Sequence, residues 1–278
     1  MTGAAKMADT TTPMARPATR VPGHFGEWIQ GRLGPDGPVA LVTLVCPALA
    51  VAAPGQGPGI DRLFPPRAVA GFARALGLGP VAWPGLDPDM PMGAGAGAST
   101  ACLVASARAA GWDGDPQALA RACLDVEGAT DPLMHPAPDR LLWASREARN
   151  LEDLAPPPRC EIVGGYLGTP QRTDPEDHDF PDISDLVSFW RGAVARDDLA
   201  AVAGIATESA RRCTALRGPD DPIDALARDL GALGHARAHT GTARALIFAP
   251  GKVPDAVAAA LRDAGLSGVF GFATGGAK

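Results

Sequence analysis

The sequence predicts an α+β fold. Three observations carry this: apolar runs of strand character are interspersed with segments of helical spacing, the two kinds do not alternate regularly, and the composition supports a core. A doubly wound parallel sheet would require a steady β-α-β-α order. Hydrophobic residues make up 46% and charged residues 20% of the 278, which excludes disorder of the whole chain. That length points to two closely packed domains.

Taken in order, residues 1–17 carry little that could pack and no continuous apolar stretch of a secretory signal, so a disordered leader is expected there. Ala18 to Leu33 holds Gly23, Gly26 and Gly31 and is followed by a Gly-Pro-Asp-Gly turn. Val39 to Leu44 and Leu49 to Ala53 read as buried strand, with Pro47 at a bend or edge. Pro66 to Gly77 places Val69, Phe72 and Leu76 at helical spacing before a terminal glycine. Ser99 to Ala110 is an alanine-rich helix closed by Gly111. Asp115-Pro116 then supplies a capping side chain and a first-turn proline for a helix to about Val126. The proline-rich stretch Leu154 to Arg159 is the best linker, dividing the chain into 18–155 and 156–278. Beyond it the pattern predicts strand over Cys160 to Leu167, helices over Ile183 to Ala195, Asp198 to Cys213 and Pro222 to Leu233, strand over Ala243 to Ala249, helix over Pro254 to Ala264 and strand over Gly268 to Ala273.

Charge and cysteine usage exclude several classes. The net charge of -6 with no long run of like charges argues against a nucleic-acid or membrane-surface partner. The longest apolar stretch, Val39 to Ala53, is too short to span a bilayer. The five cysteines are widely spaced and form no C-x-x-C pair, which disfavours a metal or disulfide framework and fits a reducing cytoplasm. The five tryptophans follow no ordered spacing, so packing roles are expected for them.

The segment that carries chemistry is DMPMGAGAGASTA, residues 89–101. Gly93, Gly95 and Gly97 alternate with Ala94, Ala96 and Ala98 immediately before Ser99, Thr100 and a helix, so backbone N–H groups can converge in front of a helix N-terminus and bind phosphate. No Gly-Lys-Ser/Thr follows, so the Walker pattern fails. A dinucleotide fingerprint fits loosely as Gly93-x-Gly95-x-x-Ala98, but Asp87-Pro88-Asp89 stands where its strand should be. A flexible Gly/Ala linker is the remaining reading of the loop alone.

Pro91-x-Gly93-x-Gly95-x-x-x-Ser99-Thr100-Ala101 resembles the second motif of GHMP kinases, in detail that of the L-threonine kinase of cobalamin synthesis and propanediol utilisation. Pro22-Gly23-His24-Phe25-Gly26-Glu27-Trp28-Ile29-Gln30-Gly31 resembles that family's P-x-x-x-G-E-x-I-Q-G signature. Glu127 to Met134 resembles its E-P-T-D segment with one extra residue, and Ala238-His239-Thr240-Gly241-Thr242 its third motif, all in family order. The resemblance implies an N-terminal ribosomal-protein-S5-like domain and a C-terminal ferredoxin-like domain. The reaction it implies moves the ATP γ-phosphoryl group to the hydroxyl of L-threonine with Mg²⁺ present, in a cytoplasmic monomer or homodimer. A related kinase for homoserine or a short aminoalcohol, and a non-catalytic nucleotide- or metabolite-binding protein of the same fold, are the alternatives.

Residue roles follow from the resemblance. Pro91 and Gly93 to Thr100 form the ATP cradle, and Ser99 contacts metal or phosphate or simply caps the helix. Glu127 is the second Mg²⁺ ligand candidate, or an exposed carboxylate at a helix end. Asp131 accepts or orients the acceptor proton, or forms an Asp-Pro turn. Glu27 and Gln30 shape the acceptor side, where a carboxylate holds an amino group, or satisfy turn amides. Gly241 and Thr242 bring backbone to the substrate from the second domain, or form a strand-entry turn. His24 stands where some GHMP kinases carry lysine and is read as structural. The loop lacks lysine at Ala94 and a first small hydroxyl residue at Ala98, leaving Arg20 and Arg140 as candidates to compensate.

Overall fold

The computed structural model of the chain describes residues 18–170, 174, 176–177, 179–218 and 221–276; the leader expected over 1–17 lies outside them. The chain opens on a long antiparallel hairpin, β1 (Thr19–Arg32) and β2 (Val39–Ala53). Helices α1 (Ile60–Leu63) and α2 (Pro66–Ala75) follow, then the short β3 (Asp87–Pro88) and helices α3 (Ala98–Ala109) and α4 (Pro116–Glu127). A second hairpin pairs β4 (Leu141–Ala144) with β5 (Arg149–Asp153). The later half runs β6 (Cys160–Tyr166), α5 (Ser184–Ala195), α6 (Leu199–Arg217), α7 (Ile223–Asp229), β7 (Gly234–Arg237), β8 (Ala243–Phe248), α8 (Val257–Asp263) and β9 (Ser267–Thr274).

The strands join in the order β5-β4-β2-β1-β7-β8-β6-β9, with β3 on β2, and every named pairing is antiparallel. This is the α+β class read from the sequence. At the far end β9 returns to β2, where the Thr274 hydroxyl donates to the Val45 carbonyl at 2.8 Å. The larger apolar cluster draws on both sides of residue 155: Trp28, Val42, Phe72, Leu103 and Trp143 on one, Ile162, Trp190, Val202 and Ile247 on the other. Trp28 of β1 packs against Trp190 of α5 with ring centroids 5.7 Å apart. A smaller cluster gathers Ile223 of α7, Val257 and Leu261 of α8, and Phe248 of β8.

Two features of this frame place the site. Helix α3 is buried almost all round, from Ala98 and Thr100 through Ala107, because its small side chains allow close approach to the β1-β2 hairpin. The hairpin itself is irregular. Pro22 pairs with Ala50 but Gly23 with Cys46, so Pro47 to Leu49 are looped out of register, which is the bend expected at Pro47. A second shift falls between His24 and Glu27, where Gly26 sits at φ +75°.

Several elements differ from the sequence reading. Helix α6 runs on to Arg217, past Cys213, whereas α7 stops at Asp229 and yields to Gly231 at φ +68°, making room for β7. All five cysteines are buried and unpaired, as small core side chains.

Candidate active site

The loop before α3 is shaped by its glycines. Gly93, Gly95 and Gly97 have φ of 75°, 75° and 73°, a left-handed conformation that costs other residues about 1 kcal/mol or more. A Cβ on Gly95 would stand 2.3 Å from the Ala238 Cβ, and one on Gly97 2.5 Å from the His24 ring. The loop is gripped through its carbonyls: Ala96 accepts from the His24 amide and Gly95 from the Gly26 amide, each at 3.1 Å. Ala94 accepts from the Thr242 and Ala243 amides at 3.0 and 2.9 Å. Among the described residues, none of the amides from Gly93 to Thr100 donates to another protein group. Bare amides ahead of a helix N-terminus are the donor set that a phosphate chain requires.

Behind the loop, Thr100 ties together the two carboxylates singled out in the sequence. Its hydroxyl donates to Glu127 Oε1 at 2.6 Å, and its oxygen accepts the Asp131 amide at 3.3 Å. Gly128 ends α4 at φ +72°, and the chain turns back so that the Asp131 amide reaches Thr100. Burial pushes the Glu127 carboxyl up to about 7, while hydrogen bonds from Ser99 and Thr100 pull in the other direction. A half-buried carboxylate with only hydroxyl partners, lining the same cavity as the loop amides, suits a hard divalent cation, so the donors present fit Mg²⁺ at Ser99 and Glu127.

On the other side of Asp131 lies a charged group of three. His24 Nε2 is 3.1 Å from Asp131 Oδ2 and His24 Nδ1 is 3.5 Å from Glu27 Oε1. In a regular strand residues 24 and 27 face opposite ways; the bulge at Gly26 brings both to one side. Burial works against a charged His24, but Asp131 and Glu27 outweigh it and raise its pKa to about 9. Burial likewise pushes Glu27 up to about 7, against the pull of His24. The donor atoms of His24, Glu27 and Asp131 lie within 4.8 Å of one another, a spacing that also suits a metal. When protonated, His24 places a positive charge between the two carboxylates.

Two cavities meet at this point. One, of about 340 Å³, is lined by Gly93, Gly95 to Thr100, Glu127, Phe64, Thr240 and Asp131, among others. The other, of about 80 Å³, is lined by His24, Glu27, Gln30, Arg146, Phe180, His239 and again Thr240 and Asp131. The Asp131 side chain keeps 23% exposure where His24 keeps 3%, so the carboxylate is the group that a ligand can reach.

The sequence-predicted residues thus divide. Gly93, Gly95 to Thr100, Glu127 and Asp131 line the larger cavity, and Glu27, Gln30 and Asp131 the smaller. Pro91 and Ala94 line neither: Pro91 is exposed ahead of the loop and Ala94 is buried with its carbonyl engaged. Gly241 and Thr242 brace the loop from behind, Gly241 so closely that a Cβ would stand 2.4 Å from the Gly95 nitrogen. Ser99 lies in the first turn of α3, whose N-cap is Gly97. Neither Arg20, paired with Asp89 at 3.1 Å, nor Arg140, on a separate cavity, lines the loop cavity. His24, read from the sequence as structural, and Arg146 line the smaller cavity as well. The motif position of His24 was a signal for the first; Arg146, in the β4-β5 turn, had none.

No family model matches the chain, and no curated protein matches it by sequence. Solved structures do match it in three dimensions. Mevalonate kinase from methicillin-resistant Staphylococcus aureus MRSA252 superposes with a TM-score of 0.57 at 17% identity, covering 92% of this chain and 97% of that one. A putative homoserine kinase from Listeria monocytogenes gives 0.55 at 14% identity, covering 94% and 99%. Mevalonate diphosphate decarboxylase from Staphylococcus aureus gives 0.58 at 10% identity, covering 94% and 98%. The protein therefore has the two-domain fold of the GHMP kinases.

Proposed function

We propose that the protein is a small-molecule kinase that transfers the γ-phosphoryl group of ATP to the side-chain hydroxyl of L-threonine. The observation that carries this reading is the position of Asp131, the carboxylate shared by an amide-lined cavity and a small polar one. The amides of Gly93 to Thr100 hold the phosphate chain, and Ser99 with Glu127 holds Mg²⁺, which when bound neutralises phosphate charge. Asp131 takes the hydroxyl proton as the oxygen attacks phosphorus and ADP departs. The His24 imidazolium orients the Asp131 carboxylate. Glu27 and Gln30 face the acceptor's amino group, and Gly241 with Thr242 fixes the loop against which ATP lies.

L-homoserine is the second reading, favoured by the homoserine kinase among the structures of like fold. The test is ADP release from MgATP by the purified protein. L-threonine is expected to support it well, and L-serine and L-homoserine much less. Preference for homoserine would move the substrate, and silence with every hydroxy amino acid would remove the kinase reading.

A further inference from the structure

The β4-β5 turn carries a cation that the reading above does not use. Arg146 is fixed by its Nη2, which donates to the carbonyls of Asp174 at 2.9 Å and Asp177 at 3.3 Å. Its guanidinium carbon stands 5.9 Å from the centre of the Phe180 ring. Its Nε and Nη1 are buried with no acceptor, and among the described residues no carboxylate pairs with it. Asp174, Glu176 and Asp177 act on this half-buried guanidinium from beyond ion-pair distance and leave its two buried donors unmet, a demand that an anion in contact would satisfy.

Orphaned atoms of opposite demand belong to the same cavity lining. Glu27 Oε2 and Gln30 Oε1 are buried acceptors with no donor. Beside them His239, stacked on Phe180 at 4.0 Å, is kept neutral because burial and Arg217 lower its pKa to about 3, and its Nδ1 is also unpartnered. The residues around this cavity of about 80 Å³ thus carry unmet donors on Arg146 and unmet acceptors on Glu27 and Gln30, with Asp131 on the wall. A neutral alcohol satisfies neither set, an aminoalcohol leaves Arg146 unmet, and a hydroxy acid leaves Glu27 and Gln30 unmet.

We infer that Arg146 binds the carboxylate of the acceptor, making the acceptor an α-amino acid whose ammonium group lies against Glu27 and Gln30. The inference rests on the kinase reading only for the fate of the hydroxyl. Arg146 lines the acceptor cavity and not the amide-lined one, so its partner is the acceptor carboxylate and not the ATP phosphates.

The test is calorimetric titration of L-threonine, L-threoninamide and 1-amino-2-propanol into the full chain, with Mg²⁺ and a non-hydrolysable ATP analogue present. The wild-type protein is expected to bind L-threonine at least tenfold more tightly than the two compounds that lack the carboxylate, a difference of about 1.4 kcal/mol. Arg146→Met should bind the acid and the amide alike, Arg146→Lys should restore part of the preference, and the affinity for the analogue should stay within about twofold. Equal wild-type binding of acid and amide overturns the inference without recourse to any variant. So does a Met variant that keeps the preference or loses the analogue instead, and so does failure to bind any α-amino acid. A preserved preference without ADP release would remove the kinase reading and leave the anchor standing.

Discussion

At Asp131, Oδ2 faces the His24 ring and no described residue bonds Oδ1. Asp131→Asn should therefore lower kcat by about 10²- to 10⁴-fold while ATP affinity stays near its original value, measured by turnover and by nucleotide titration. Unchanged kcat would remove the proton-accepting role. His24 supplies a pH signature. Its pKa is about 9 in the fold against 6.5 for a free histidine, so its pairing stabilises the protein fully below about 6.5 and that contribution is lost as pH rises through about 9. Activity should decline over the same alkaline limb, and His24→Gln should abolish the limb along with most of the rate. Glu127→Gln should raise the Mg²⁺ concentration needed for half-maximal rate without lowering thermal stability, since it removes a half-buried carboxylate whose charge desolvation disfavours. That Gly93, Gly95 to Thr100, Glu127 and Asp131 gather at one cavity was legible in the sequence, because glycine spacing and the Thr-Asp pair are local signals. The pairing of His24 with Glu27 depends on a bulge, and the place of Arg146 on a distant turn, so neither is written in local spacing.

Among the elements, the loop into α3 is the most sensitive to single atoms. Gly95 and Gly77 share a left-handed φ, +75° and +65°, yet Gly77 has open space around it and Gly95 is pressed against Ala238. Gly77→Ala should cost about 1 kcal/mol in chemical denaturation, the conformational term alone. Gly95→Ala should cost several-fold more and eliminate nucleotide binding; equal costs would show that the close contact relaxes freely. The amphipathic α2 and the Asp115-capped α4 were legible because their signals lie within the helix, and the Asp115 carboxylate accepts from the Gln117 amide as such a cap does. Strand β1 was not read as strand. It is an inner strand buried on both faces, so it lacks the alternation that marks a half-exposed one, and its glycines serve close approach. β4, β5 and β7 are four or five residues long, too short for a period to show.

For the molecule as a whole, one sheet and one large apolar cluster cross the division proposed at residue 155. The two parts are expected to unfold together, and Trp190→Ala, emptying the contact with Trp28, should cost about 3–5 kcal/mol and lower a single melting transition. Two separated transitions would show that the parts hold themselves independently. The loop takes its backing from both parts: His24 and Gly26 grip it from the first, and Thr242 and Ala243 from the second. A segment anchored on its carbonyl side loses its conformational freedom during folding and has little left to lose when nucleotide arrives. Rigidity can thereby offset the lack of a basic side chain in residues 93–98. In deuterated solvent the amides of residues 93–100 should trade hydrogen quickly in the free protein, and slow sharply with MgATP while the surrounding backbone shows almost no change.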